Sequence, residues 1–317
     1  MFKLFIKRFL LLFLQLIILS FIVFFLSHIV HIVTWTTDSG TGMADTFISS
    51  IILQDLIFGY WNWLVEIVTT GNFGWSWRWQ MSAIEAVGMR LPNTFRLLVT
   101  SLLLIYGIGI PLGIISGRHS GTWKDRTIQM ITQIGASFPS FTLGFLLILF
   151  LGFQLGWFPF RGSLPPGMTR EVGFVSYHMA RLHHVILPAL SLAIVQLITP
   201  MKYLRSGIID TEQQEFVILA RAKGASEKHL FKKHIFRHSL ISLASSAPMQ
   251  IAAVITGSII IEIVFSFPGI GNMFFTAFFE GDTGLVNFII LIFGALILLG
   301  SFISDILILA LDSRIEI

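Results

Sequence analysis

Glu215-Phe-Val-Ile-Leu-Ala-Arg-Ala-Lys-Gly-Ala-Ser-Glu-Lys-His-Leu-Phe-Lys-Lys-His-Ile-Phe-Arg-His238 is a charged, amphipathic island between long apolar segments. Its spacing predicts two helices joined by a turn. Asp210 and Thr211 are both suited to an N-cap, and Thr211 with Gln214 three residues on fits a capping box. Phe216, Leu219, Ala220 and Lys223 then recur at helical spacing, an apolar stripe ending in a cation that suits a helix C-terminus. Gly224 fits the left-handed position after the last turn. Ser226 can cap a second helix whose Leu230, Phe231 and Ile235 share a face, with Lys228, Lys232, Lys233 and Arg237 left to water. Such a pair either docks a soluble partner or rests on anionic lipid.

The surrounding composition belongs to a membrane. An apolar fraction of 55% against 12% charged residues leaves too little polar surface for a soluble protein of 317 residues. The absence of cysteine excludes disulfides, thiolate catalysis and Cys-ligated metal sites. Six spans are predicted near 9–33, 95–117, 127–153, 184–205, 241–264 and 284–310, each about as long as hydrocarbon requires. Lys3, Lys7 and Arg8 precede the first span, which is too long for a signal peptide and reads as a retained anchor.

With both termini in the cytosol, fifteen of the 21 Lys and Arg fall on the cytosolic side, as the positive-inside rule requires. That orientation places residues 206–240 in the cytosol. Seven of the eight tryptophans (all but Trp123) then lie outside, five of them at Trp61, Trp63, Trp75, Trp77 and Trp79. Tryptophan prefers the headgroup layer, so the long 34–94 outer loop is expected to hug the outer interface. Its apolar run from Phe47 to Leu64 suggests a re-entrant or surface-lying helix, and Gly71-Asn72-Phe73-Gly74 a turn. With no internal repeat or linker, residues 1–317 read as one all-α membrane domain.

Ala220-Arg221-Ala222-Lys223-Gly224 followed by Ala225-Ser226-Glu227 resembles the EAA loop of ABC importer permeases of the oligopeptide/dipeptide/nickel family, in its first-permease, B-type form. Further pieces carry the resemblance along the chain: Arg90-Leu91-Pro92-Asn93-Thr94, Gly109-Ile110-Pro111-Leu112-Gly113, Ser137-Phe138-Pro139-Ser140-Phe141, Leu155-Gly156-Trp157-Phe158-Pro159, Leu187-Pro188-Ala189-Leu190 and Glu262 to Gly271. The sequence departs from the family pattern at Ile218-Leu219-Ala220, in place of Glu-Ala-Ala. It departs again at His238 and Ser242, where Asn and Pro are frequent, and at Ser313, inside an Asp-Pro-Arg pattern. The resemblance implies a six-span permease in the bacterial cytoplasmic membrane that pairs with a second homologous permease, two ATP-binding subunits and an extracytoplasmic solute-binding protein. It implies ATPase coupling through Phe216, Leu219, Ala220, Arg221, Lys223 and Gly224, and a translocation path bordered by Pro111, Ser137, Pro139 and Glu262.

No phosphate-binding G-x-x-x-x-G-K-[ST] occurs, so ATP and Mg are expected on partner subunits, with no cofactor or metal in this chain and no enzymatic or nucleic-acid role. Pro111 with Gly107, Gly109 and Gly113, and Pro139 near Gly135 and Gly144, interrupt their spans, as kinks or as irregular backbone lining a cavity. Glu262 and Asp305 are carboxylates in or near spans, serving either a proton relay or bonds to a neighbouring segment. Adjacent His183 and His184 diverge by about 100° on a helix, and His28 with His31 makes an incomplete metal site. Peptides fit as solute better than nickel or a metal chelate. The other readings are a proton-coupled secondary transporter and a scaffold without transport.

Overall fold

Inside a bilayer the backbone has no hydrogen-bond partner but itself, and apolar runs of this length resolve into helices. The computed structural model describes residues 2–38 and 51–311. In chain order these form α1 (Phe2–Asp38), α2 (Ile51–Thr70), a ribbon of β1 (Trp75–Ser76) and β2 (Met81–Ser82), α3 (Ala83–Arg118), α4 (Trp123–Ser137) and α5 (Ser140–Leu147) with a π-helical continuation (Ile148–Gln154). Then follow α6 (Phe174–Gln196), α7 (Ile198–Glu212), α8 (Glu215–Ala222), α9 (Glu227–Leu230), a π-helical turn (Phe231–Ile235), α10 (Phe236–Val264), α11 (Ile270–Glu280) and α12 (Thr283–Leu311).

Five helical stretches among the described residues are long and apolar enough to cross a membrane: Phe9–Leu26 within α1, Ala83–Arg118, Phe174–Gln196, Glu227–Val264 and Thr283–Ile308. A sixth results if α4 and the 140–154 arm are one broken span. In place of a continuous span at 127–153, those two pieces meet at 95°. Phe138 and Pro139 are both extended at the elbow, with ψ 138°, because proline bars the preceding residue from the α region. The fourth span also differs, starting at Phe174 rather than near 184 and breaking at Leu197. Pro200, four residues after Gln196, has no N–H to offer the Gln196 carbonyl. The connection expected over 34–94 ends earlier than expected, since α3 begins at Ala83 and carries Pro92 and Pro111 within it.

The chain packs as two units. The first comprises residues up to Leu91 with Met273–Leu298. Here α2 lies against the apolar stretch of α1: the Tyr60 ring meets Phe21 and Phe24 edge-on at 5.2 and 5.6 Å. The Tyr60 hydroxyl is 2.8 Å from Ser20 Oγ. Residues 47–50 of the expected apolar helix lie outside the described residues. Gly71 and Gly74 have positive φ, and Asn72 Oδ1 accepts the Gly74 N–H at 3.0 Å, which makes the expected turn. The ribbon that follows was not expected from the sequence. It pairs Trp75 with Ser82 and Ser76 with Met81. Ser76 Oγ donates to the Asp282 carboxylate, and Arg78 pairs with Glu280 at 2.7 Å, so the ribbon is fastened to the turn between α11 and α12.

The second unit comprises Pro92–Asn272 with the residues from Leu299 onwards. Its core is built from Leu97, Val185, Leu187, Ala189, Leu192, Ile261, Phe265 and Phe267. Glycines set the approach of α3 to α7: a Cβ on Gly113 would stand 2.9 Å from the Met201 carbonyl oxygen, and one on Gly117 3.0 Å from Ile208 Cβ. Gly109 meets Pro200 and the Leu197 carbonyl in the same way, so three glycines four residues apart form one close-packing face. Gly107 faces open space. His183 Nε2 lies 2.9 Å from the Trp157 carbonyl oxygen and His184 Nδ1 2.8 Å from that of Ala180, so the two imidazoles serve separate partners. The side chains of His28 and His31, and residue Ser313, lie outside the described residues.

Candidate coupling site

Residues 198–240 form a bracket at one end of the second unit. The capping expected of Asp210 and Thr211 is not realised. Both belong to α7, which continues to Glu212, and Thr211 is buried. The chain turns at Gln213 and extends at Gln214 (φ −71°, ψ 144°), whose carbonyl accepts the N–H groups of Val217 and Ile218. Thus α8 starts at Glu215, three residues later than the capping box implies.

The end of α8 follows the sequence closely. Gly224 has φ +83°, the Gly224 N–H donates to the Arg221 carbonyl at 3.0 Å, and the Ala225 N–H donates to the Ala220 carbonyl at 3.2 Å. These two bonds are the pair that defines a Schellman motif. Arg221 spans the same turn to Glu227 at 2.6 Å, an exposed pair that contributes orientation more than stability. Burial raises the Glu212 carboxyl above its ordinary value, opposed by the charges of Arg221 and Arg118 and reinforced by that of Glu227.

The second helix of the island is not separate. From Ser226 onward α9 passes through the π-helical turn into α10, so the island is the start of a helical stretch, Glu227–Val264, long and apolar enough to cross a membrane. Leu230 and Ile235 are buried as expected, together with Leu204, Ile208 and Val217. Val217 was not singled out in the sequence, yet it is the residue that pins α8 to this core. The stripe read from periodicity is split: Ala220 packs on the core, whereas Phe216 is 38% exposed, Leu219 57% and the neighbouring Ile218 55%. The Phe216 ring leans on His238 at 4.9 Å. Arg221, Lys223 and Gly224 are exposed.

A polar clasp ties this bracket to the rest of the unit. Asp125, in the first turn of α4, is buried and accepts from Arg205 Nε and Nη2 at 2.8 Å each, from Gln129 Nε2 at 2.8 Å, from the Gly121 N–H at 2.9 Å and from Ser116 Oγ. One carboxylate therefore gathers the end of α3, the α3–α4 turn, α4 and α7. The sequence reading missed it because 80 residues separate the two charges. An acid in the first turn after Gly121-Thr122 was the available signal.

Of the residues expected on the translocation path, Pro111, Ser137 and Pro139 are exposed on this chain, Ser137 with its hydroxyl bonded to the Gln133 carbonyl. Glu262 instead is fully buried. Its carboxylate accepts from Thr94 Oγ1 at 2.7 Å and from the Asn272 N–H at 3.0 Å. Thr94 Oγ1 in turn accepts the Ile270 N–H at 2.7 Å, and Asn93 Nδ2 donates to the Pro268 carbonyl at 2.8 Å. A side chain on Gly269 would run into the Glu262 carboxylate, and one on Gly271 into the Ile259 backbone. Two motifs 168 residues apart in sequence thus interlock around one buried acid.

Comparison with known proteins matches residues 109–317 to the family described as binding-protein-dependent transport system inner membrane component. The chain is 34% identical over 258 residues to the oligopeptide transport system permease protein AppB of Bacillus subtilis, covering 81% of this chain and 79% of that one. It is 29% identical to the dipeptide transport system permease protein DppB of Lactococcus lactis, covering 78% and 77%. Against the glutathione transport system permease protein GsiC of Escherichia coli it is likewise 29% identical, covering 83% and 80%. Its fold is similar to a chain of the MetNI methionine ABC transporter in an inward-facing conformation, with a TM-score of 0.57 at 16% identity over 72% of this chain and 97% of that one. Multiple apolar spans, a bracket held at a glycine turn and these matches lead to one assignment: the chain belongs to the binding-protein-dependent transport system inner membrane components, as a multi-pass permease of the ABC importer type.

Proposed function

We propose that this permease forms half of the translocation pathway of a peptide importer in the bacterial cytoplasmic membrane. A second, homologous permease supplies the other half, an extracytoplasmic binding protein delivers the solute, and two ATPase subunits holding ATP and Mg drive the cycle. The observation that carries the reading is the exposed apolar edge of α8, Ile218 and Leu219 beside Phe216, on a helix fixed from behind by Val217. Exposed aliphatic and aromatic side chains on a rigid cytosolic helix suit a cleft in a soluble partner. Leu219 and Phe216 enter the ATPase, Ala220 holds α8 to its own core, and Arg221, Lys223 and Gly224 set its angle. Pro111, Ser137 and Pro139 border the path. The names of the relatives support oligopeptides or dipeptides as solute.

Cysteines introduced singly at Lys228, Asn72 and Gly167 test the orientation. An impermeant thiol reagent added to intact cells is expected to label positions 72 and 167 and to spare 228; strong labelling at 228 with none at 72 would reverse the topology. Native mass spectrometry of the detergent-extracted complex tests the assembly. A heteromer with a second permease and two ATPases is expected, and a transport-competent homodimer lacking ATPases would overturn the proposal.

A further inference from the structure

Three arginines collect at the end of the second unit remote from α8. Asn93 precedes Gly117 on α3 by 24 residues, about 36 Å along a helix axis, and Gly117 is where α3 meets Ile208 of α7. Asn93 is buried, and its amide nitrogen is directed to the Pro268 carbonyl. Its Oδ1 accepts from two guanidinium groups at once, Arg181 Nη2 at 2.5 Å and Arg96 Nη1 at 3.3 Å. Arg181 Nη1 also lies 3.3 Å from the Tyr177 hydroxyl, and the Arg181 guanidinium stands 5.3 Å from the Tyr177 ring centre, with Arg170 at 5.9 Å. Arg181 Nε is buried without a hydrogen-bond partner. Both Arg96 and Arg181 keep part of their surface open.

The charge of this cluster is not balanced from within. Among the described residues no carboxylate stands at ion-pair distance from Arg96 or Arg181. Glu262, next to the site through Thr94, is engaged by Thr94 and Asn272, and Glu171 beside Arg170 is exposed. A guanidinium has five donors and no acceptor, so one neutral amide oxygen satisfies one N–H of each group and neither charge. Two cations drawn to a shared neutral oxygen, one of them also stacked on an aromatic ring, are prearranged for an anion. The planar fork of arginine matches a carboxylate with two parallel hydrogen bonds.

We infer that Arg96 and Arg181, steadied by Asn93 and Tyr177, form a carboxylate site at the outer mouth of the permease that receives the C-terminal carboxylate of the transported peptide. The assignment rests on the peptide-import reading above. It places a recognition step in the permease itself, after release of the solute from the binding protein.

The test uses the whole transporter with trialanine and trialanine amide as probes. In the purified complex, trialanine is expected to protect Arg96 and Arg181 from phenylglyoxal, read residue by residue by mass spectrometry, and the amide is not. In proteoliposomes with saturating loaded binding protein, Arg181→Gln and Arg96→Gln are expected to lower trialanine uptake about tenfold, the worth of a charge-assisted hydrogen bond. Amide uptake should stay at the wild-type rate, which also shows that the variants fold. Arg181→Lys should fall between. Equal loss of both probes in both Gln variants, or absence of protection, overturns the site. So does protection by the empty binding protein alone, which would make the anion a carboxylate of that protein. Wild-type uptake of neither probe refutes peptide import instead, while protection by trialanine but not by its amide would keep the site for another carboxylate solute.

Discussion

Gly224→Val is expected to abolish most solute uptake while the protein still reaches the membrane. At φ +83° the residue occupies a region where a side chain costs about 1 kcal/mol or more, and a β-branched one fares worst. Nothing lies within 4 Å of the position a Cβ would take, so the penalty is purely one of backbone conformation. Relief of that strain requires the Schellman turn to open, and α8 then loses its fixed angle to α9. Gly224→Asn is the control, because asparagine tolerates left-handed dihedrals, and it should retain most uptake. Leu219→Ala and Phe216→Ala probe the partner side, where truncating an anchor can cost about 2 kcal/mol or more. Leu219 is the cleaner of the two, since the Phe216 ring also packs on His238. Uptake and binding-protein-stimulated ATP hydrolysis should be measured in proteoliposomes holding equal amounts of permease. Normal transport by Gly224→Val and Phe216→Ala, with ATPases still bound, would show that α8 is not the coupling element and would return the island to lipid.

Arg205→Ala should damage the fold itself. It leaves the Asp125 carboxylate buried without its cation, a defect worth about 3–5 kcal/mol. Ser116, Gln129 and the Gly121 N–H remain as donors, which places the expected loss towards the lower end. Thermal unfolding of the detergent-solubilised complex should show a lowered midpoint and poor recovery of assembled transporter. Removing both charges, as Asp125→Leu with Arg205→Met, should be less harmful than the two single changes added together, because no lone charge then stays buried. Simple additivity would mean that the two residues stabilise the protein independently.

How far the sequence could be read follows from the range of each interaction. Spans and the glycine turn depend on residues a few places apart, and hydropathy and the run Ala220 to Ser226 display them. Faces are harder. Periodicity marks a stripe on α8 but does not say which side meets its own chain, so Phe216 and Leu219 were visible while Val217, the buried contact, was not. Boundaries fail when one segment claims another's cap: Thr211 looks like an N-cap until α7 extends through it. The elbow at Phe138-Pro139 was readable as an interruption, though not as a 95° bend. Asp125 with Arg205, and Glu262 with Thr94, pair across 80 and 168 residues, and no local pattern announces either.

The unbroken passage from α9 through the π-helical turn into α10 has a mechanical consequence. A rod of 38 residues is about 57 Å long at helical rise, so a tilt of about 10° about one end displaces the other by about 10 Å. Its first turn lies beside the Schellman motif, and its last carries Glu262, the acid locked to Thr94 and Asn272. Against a stationary α3, a displacement of that size would exceed the 2.7 Å reach of the Glu262–Thr94 bond.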